Sequence, residues 1–167
     1  MRVNLGCGDR YQPGWVNVDH AASPHRKDAT VDLADDLPWG LGELTHVYAG
    51  HVLEHLPLDV CRLLLTRLLP CMAPAGTIMV VGPDVDRAQQ MAEAGTLEVT
   101  MESLRCGAGR WPGDEHQWAC TPTIIVDLLD VAGWSDVTDV GISAVDPLWP
   151  VADRTPVWQC AISATAR

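Results

Sequence analysis

Residues 2–9 read R-V-N-L-G-C-G-D, and residues 14–19 read G-W-V-N-V-D. Arg2 to Leu5 is a short apolar run stopped by Gly6 and Gly8, and Trp15 to Asp19 alternates apolar and polar side chains, so both runs predict strands. Two glycines directly after a strand leave bare backbone against which a ligand can press. Outward from this pair the chain alternates. Thr30 to Leu33 is a weaker third strand, and Leu44 to Ala49 and Thr77 to Gly82 are rich in β-branched residues. The second of these has the unbroken apolar character of a central parallel strand. Leu58 to Met72 is apolar around most of its circumference and predicts a helix buried against a sheet, ending near Pro70. Short helices are expected over Val85 to Ala94 and Leu97 to Arg105. Pro122 to Ala132 carries Thr121 as N-cap, Pro122 in the first turn and Gly133 as C-cap. Val137 to Ile142 and Val157 to Ser163 then form two closing strands, a hairpin with a long Pro-rich connection. The expected fold is α/β, a doubly wound and mostly parallel sheet covered by helices on both faces. In such sheets ligands sit at the carboxyl ends of the strands, where strand order reverses.

The 167 residues, 47% of them hydrophobic, suit a single domain over 1–167 with a buried core. A net charge of −11 has the wrong sign for phosphate backbones or anionic membrane surfaces, so neither nucleic acid nor membrane is an expected partner. No apolar run reaches the roughly 20 residues of a membrane span. The six cysteines never fall into a C-x-x-C pair, which argues against a zinc knuckle and for reduced, buried thiols in a cytoplasmic protein.

Gly6, Cys7 and Gly8 do not complete a dinucleotide fingerprint, because Tyr11 stands where its third glycine would fall and Pro13 and Gly14 interrupt any following helix. Pyrophosphate binding at a helix N-terminus is thereby disfavoured. Alone, the two glycines are equally an ordinary tight turn. Asp19 adds a second element: closing the neighbouring strand, its carboxylate can accept two ribose hydroxyls, which points to an adenosine-type ligand. Asp32 either accepts from an adenine amino group or caps the D-L-A-D-D turn.

N-L-G-C-G (4–8), G-W-V-N-V-D (14–19), D-L-A-D-D-L-P-W (32–39), V-Y-A-G-H-V-L-E-H-L (47–56) and A-P-A-G-T-I-M-V-V-G-P-D (73–84), in this order, resemble small class I S-adenosylmethionine-dependent methyltransferases. H-Q-W-A-C-T-P (116–122), followed by a helix and A-G-W, extends the likeness more loosely. The resemblance implies a seven-stranded sheet with an antiparallel last strand and S-adenosylmethionine as cofactor. It places Gly6 and Gly8 under the methionine part with Cys7 between them, Asp19 at the ribose with His20 beside it, Asp32 and Leu33 at the adenine, and Gly50 and His51 at the rim. Two departures stand out. Only about ten residues join the first two strands, where a parallel crossover takes a dozen or more with a helix, so the first helix is expected to be vestigial. The turn A-P-G-G reads Ala73-Pro74-Ala75-Gly76, a change expected to be harmless.

His51, Glu54 and His55 spell H-x-x-E-H, which on a helix would put two imidazoles on zinc with a glutamate base. Against a zinc hydrolase, the motif starts directly after a strand and Pro57 cuts it short; no metal is expected. Methyl transfer needs an aligned acceptor and sometimes a base. His51, at the strand edge, is the first candidate, with helix capping as its alternative role, and His116 the second, with a surface loop as its alternative. Glu54 and His55 read as packing or hydrogen-bonding partners. Trp111, Trp118, Trp149 and Trp158 either line an acceptor pocket or pack in the core. The chain lacks the D/N-P-P-Y/F loop expected of a base-modifying methyltransferase. The reading is therefore methyl transfer to oxygen or nitrogen of a small molecule, with a non-catalytic adenosyl-binding module as the alternative.

Overall fold

The computed structural model describes residues 1–97, 99–107, 109, 113–151 and 158–167. Seven strands, β1 (Arg2–Leu5), β2 (Val16–Asp19), β3 (Ala29–Thr30), β4 (Leu44–Gly50), β5 (Met72–Pro83), β6 (Ser135–Asp139) and β7 (Gln159–Thr165), form one sheet in the order β3-β2-β1-β4-β5-β7-β6. The first five are parallel; β7 runs antiparallel to both β5 and β6. Strand order reverses between β1 and β4, so the carboxyl ends of β1, β2 and β4 border one crevice.

Helices α1 (Leu58–Cys71) and α4 (Pro122–Ala132) cover one face. Alternation along the strands aims Val3, Leu5, Val18, Val47, Ile78, Val80 and Ile162 at them, and Leu64, Leu65 and Leu68 of α1 are fully buried there. Each such side chain contributes roughly 1.5–3 kcal/mol. Helix α4 has the expected caps: Thr121 accepts from the Ile124 N–H, and Gly133 takes a left-handed φ of 93°. Helix α1 runs one residue past Pro70, which lies on the exposed side of its last turn, and Thr66, whose carbonyl the ring leaves without a donor, is exposed too, so water can satisfy it. Helices α2 (Val85–Glu93) and α3 (Met101–Cys106) pack on each other after β5. Helix α3 begins later than expected because Thr100, not a residue near Leu97, caps it, accepting from Ser103. The opposite face buries Trp15, Tyr48, Met79, Val81 and Ala161 under Ile142, Val145, Trp149 and Val151. Ile142, expected in the sixth strand, instead starts a 3-10 turn over Ile142–Ala144. No helix of the described residues is long and apolar enough to cross a membrane.

The first helix is absent, not merely short: β1, β2, β3 and β4 follow one another without an intervening helix. A buried asparagine replaces it. Asn17 is 0% exposed; its Oδ1 accepts from Gln12 N–H (2.8 Å) and Asn4 Nδ2 (3.0 Å). Its Nδ2 lies within 3.0 Å of the Gln12 and Trp15 carbonyls and of Asp28 Oδ2. The backbone of the connection must be paired, and this one side chain pairs three of its groups, the Gln12 N–H and the Gln12 and Trp15 carbonyls. Ala75 takes φ +59° inside β5, where the pairing with β4 shifts register between Met72 and Thr77. A Cβ there costs about 1 kcal/mol relative to glycine, so the change is tolerated, not free.

Candidate functional site

Gly6 follows β1 with φ +54°, and a Cβ there would come within 2.6 Å of Val52 Cγ2. Gly8, with φ +51°, would meet nothing within 4 Å, because it faces open space. Cys7 points away: buried, it offers its thiol to the Arg26 carbonyl at 3.6 Å, and burial, with the Asp19 charge, pushes its pKa up to about 11. A buried thiol with a raised pKa stays protonated at neutral pH.

Asp19 closes β2 beside this bend. The Gly8 N–H donates to Asp19 Oδ2 at 2.8 Å, Ser23 Oγ donates to the same oxygen at 3.0 Å, and the His20 N–H donates to Oδ1 at 2.8 Å. A carboxylate offers about four acceptor positions, so these three donors leave about one, and rotation of the Ser23 hydroxyl frees a second. The His20 ring lies 3.8 Å from Oδ1. Next to Asp19, whose carbonyl accepts from the Val31 N–H at 2.9 Å, Val31 and Leu33 give the cavity apolar lining, while Asp32 Oδ1 caps its own turn by accepting from the Ala34 N–H at 3.0 Å. Together these residues border a cavity of 480 Å³, inside the range of small-molecule sites. A shallower hollow of 620 Å³ near Met1, Arg2 and Thr45 lies at the opposite, amino ends of the strands, the wrong edge for this architecture.

Of the residues singled out from sequence, Gly6, Gly8, Asp19, His20, Asp32, Leu33 and His51 line the cavity, while Cys7, Gly50 and His116 do not. Gly50 has another reason to lack a side chain: a Cβ would fall 2.3 Å from the Tyr48 hydroxyl. His116 is half-buried outside the cavity, its Nδ1–H donating to the Leu104 carbonyl at 2.9 Å, and desolvation holds its pKa below the usual range.

His51 adopts φ +56°, a left-handed conformation that costs a non-glycine residue about 1 kcal/mol or more. Three contacts hold it there. Its N–H donates to the Val81 carbonyl (2.8 Å), its Nδ1–H donates to Glu54 Oε1 (3.0 Å), and its Nε2–H faces Gln159 Oε1 at 2.7 Å. Desolvation would lower the His51 pKa, but the Glu54 hydrogen bond and charge outweigh it and the net direction is up. Burial likewise opposes ionisation of Glu54, only 1% exposed, and the same imidazolium pulls its pKa below the usual value. Rotation of the Gln159 amide would let it donate to a neutral ring, so Gln159 can serve both charge states of His51.

The H-x-x-E-H letters do not form a metallopeptidase helix. His51 ends the strand in a left-handed bend, and Leu53–His55 is a single 3-10 turn, so His51 and His55 are not stacked one α-helical turn apart and the hydrolase reading loses its geometry. Trp118 explains part of this conformation, donating to the Leu53 and Leu56 carbonyls at 3.2 and 2.9 Å. Trp149 packs against Trp15, and Trp158 stands edge-on to His51. None of these three lines the cavity; Trp111 lies outside the described residues. Sequence reasoning missed Ser23, Val52 and Gln159, and singled out His55 only within H-x-x-E-H and as a packing or hydrogen-bonding partner. Ser23, four residues after Asp19, had a local signal; Gln159, 108 positions from its partner His51, had none.

No family model and no curated protein matches the chain by sequence. Solved structures do match it in shape. A SAM-dependent methyltransferase from Archaeoglobus fulgidus aligns with TM-score 0.64 at 15% identity, covering 98% of this chain and 85% of its own. An S-adenosylmethionine-dependent methyltransferase from Mesorhizobium loti aligns with TM-score 0.57 at 14% identity, covering 98% and 90%. Human N-acetylserotonin methyltransferase, solved in complex with SAM, aligns with TM-score 0.55 at 18% identity, covering 98% of this chain and 46% of its own. Identities this low speak to architecture: by shape, strand order and antiparallel β7, the chain has the class I S-adenosylmethionine-dependent methyltransferase fold.

Proposed function

We propose that this protein transfers a methyl group from S-adenosylmethionine to an oxygen or nitrogen atom of a small molecule, acting in the cytoplasm as a single domain over residues 1–167. The observation that carries the proposal is the 2.8 Å contact between the Gly8 N–H and Asp19 at the floor of the cavity. It supports a nucleoside site because side-chain-free backbone and a carboxylate converge where the strand order reverses. The residues present fit the cofactor. A Cβ would crowd the cradle at Gly6, Asp19 retains acceptor capacity for ribose hydroxyls, Val31 and Leu33 suit an adenine ring, and Asp32 lies beside them.

When bound, the cofactor supplies a methyl group activated by a positively charged sulfur. The chain then has to align the acceptor, exclude water and manage one proton. His51 is the residue for the proton: its ring lines the cavity, Glu54 steadies its Nδ1–H, and a neutral Nε2 released from Gln159 is a base of suitable strength. His116, outside the cavity, is no longer proposed as a second base. A small acceptor agrees with the −11 net charge, which disfavours nucleic acid.

Calorimetric titration with S-adenosylmethionine and S-adenosylhomocysteine, paired with detection of S-adenosylhomocysteine released over a mixed metabolite pool, tests the proposal. Binding with turnover is expected. Binding without product would favour the non-catalytic adenosyl-binding module, and no binding would remove both.

A further inference from the structure

Beside His51, at the edge of the cavity, lies a second cluster of side chains, of which the proposed methyl transfer uses only Glu54, and that through His51. Glu54, His55 and His116 each present a ligand atom within 4.8 Å of the other two. Glu54 is the least accessible, a carboxylate at 1% exposure, and His55 and His116 stand edge to face with ring centroids 4.8 Å apart. Two elements distant in sequence make this cluster: the 3-10 turn Leu53–His55 and the stretch just before Trp118. A hydrogen bond from the Gln117 N–H to the Glu54 carbonyl, 2.7 Å, pins one to the other.

We propose that Glu54, His55 and His116 bind a divalent transition-metal ion of the zinc class in the wall of the cavity. Two imidazoles and one carboxylate are a donor set suited to such ions, leaving a fourth position for water or a heteroatom of a small molecule. His55 lines the cavity, so that position can be reached from it. The surroundings prepare both rings as ligands. His116 Nδ1 lies 2.9 Å from the Leu104 carbonyl and His55 Nδ1 has a longer contact, 3.4 Å, with the Glu115 carbonyl. A carbonyl only accepts, so each Nδ1 carries the proton and each Nε2 keeps its lone pair, as in histidines oriented by an outer shell around a metal. On Glu54, His51 occupies one of about four acceptor positions. Bonds of about 2.05 Å at tetrahedral angles set donors about 3.4 Å apart, so the cluster must close by at most about 1.4 Å, within reach of side-chain rotation. The arrangement is unlike the helical one that H-x-x-E-H suggests: His51 is left out, and the third ligand comes from sixty-one residues beyond His55.

The test is titration of tag-free, metal-stripped protein with Zn²⁺ by calorimetry, repeated with Co²⁺ as a spectroscopic probe. One Zn²⁺ should bind per chain, and His55→Ala and His116→Ala should each weaken it at least about tenfold, whereas His46→Gln, at the other edge of the sheet, should not. Zn²⁺ at a hundredfold excess over its Kd should raise Tm by roughly 5–10 °C in the parent protein and not in His116→Ala. Co²⁺ bound to the parent should give the intense visible absorption of four-coordinate sites, a readout that holds even if a variant fails to fold. A weak, octahedral Co²⁺ spectrum, or equal Zn²⁺ affinity in the parent and both histidine variants, would overturn the proposal. Neither readout depends on methyl transfer, so the two proposals fail separately.

Discussion

Replacing Asp19 with alanine removes the carboxylate while leaving the strand that carries it. Two losses follow, and they separate. Within the protein, the Gly8 and His20 N–H groups lose their acceptor, as does the Ser23 hydroxyl. These groups border the cavity and water can reach them, so the cost to stability should be about 1–2 kcal/mol, toward the low end for unpaired donors. For a bound ribose, each hydrogen bond to an ionised acceptor contributes about 1.5–3 kcal/mol. The three resident donors leave about one acceptor position free at once, so one bond is the lower bound, a loss of roughly 10- to 150-fold in affinity. The assay is calorimetric titration of S-adenosylhomocysteine into parent and Asp19→Ala proteins at one ionic strength, beside its 2′,3′-dideoxy analogue. The analogue should bind both proteins alike, since it lacks the groups that Asp19 would hold, and the four affinities form a thermodynamic cycle. If a folded Asp19→Ala protein bound S-adenosylhomocysteine within threefold of the parent, the ribose assignment would fail. If the analogue lost as much as the parent ligand, the effect would belong to the glycine bend, not to the sugar.

His51→Ala should leave S-adenosylhomocysteine affinity nearly intact and lower turnover by roughly 10²–10⁴-fold; equal turnover across a pH series would reduce the imidazole to a structural role. In the parent, turnover should rise with pH through a pKa above the ordinary histidine value, since Glu54 holds the proton on His51. Stability has the opposite dependence. The raised His51 pKa contributes fully below about pH 6.5 and fades as pH rises through the folded value, while the depressed Glu54 pKa contributes above about pH 4.5 and fades on acidification. The Tm advantage of the parent over His51→Ala should therefore peak between about pH 4.5 and 6.5, and a flat difference would contradict the ion pair. Asn17→Leu, similar in volume, should cost about 3–5 kcal/mol in urea unfolding, because it strands several buried polar groups at once. Gly6→Ala should lose both stability and cofactor affinity, its Cβ meeting Val52 at 2.6 Å, whereas Gly8→Ala should chiefly lose affinity, its Cβ entering open cavity.

What could be read from sequence depended on the range of the interaction. Helix α4 was legible to the residue because Thr121, Pro122 and Gly133 are local signals acting on adjacent backbone. That Gly6, Gly8 and Asp19 share one edge of the sheet was legible for a similar reason: the glycines follow β1 and Asp19 ends β2, and parallel pairing of the two strands brings their ends together. Strand β6 was placed too late, because at a sheet edge its residues are only partly buried and its alternation is weak. The place of His116 outside the cavity was not legible because a loop histidine carries no directional signal; the Leu104 carbonyl that holds its ring comes from helix α3. Gly50 was assigned to the ligand, but its lack of a side chain serves Tyr48 on its own strand, a contact between residues two apart that periodicity does not reveal.

The missing first helix bears on the glycine bend at the cavity more directly than the sheet topology does. Asn17 holds the Asp9–Gly14 connection to the sheet, and its own N–H and amide donate to Asp28. The Tyr11 hydroxyl donates to the same carboxylate at 2.8 Å, and Arg26 stacks over the Tyr11 ring at 3.8 Å. These donors, Asn17 first, hold the Asp28 carboxyl below its usual pKa, so it stays an acceptor well into the acid range. The segment so fixed, from Ser23 to Asp28, also contains the hydroxyl bound to Asp19 and the Arg26 carbonyl bound to the Cys7 thiol. One polar network thus ties the connection after β1 to the connection after β2, with the glycine bend between them. In a longer chain a helix behind that bend would provide rigidity through packing; here side-chain hydrogen bonds provide it, and these are directional where packing is not. A change at Asn17 or Asp28, neither of which lines the cavity, should therefore loosen the glycine bend before it unfolds the sheet, appearing first as faster hydrogen exchange at the Gly8 N–H.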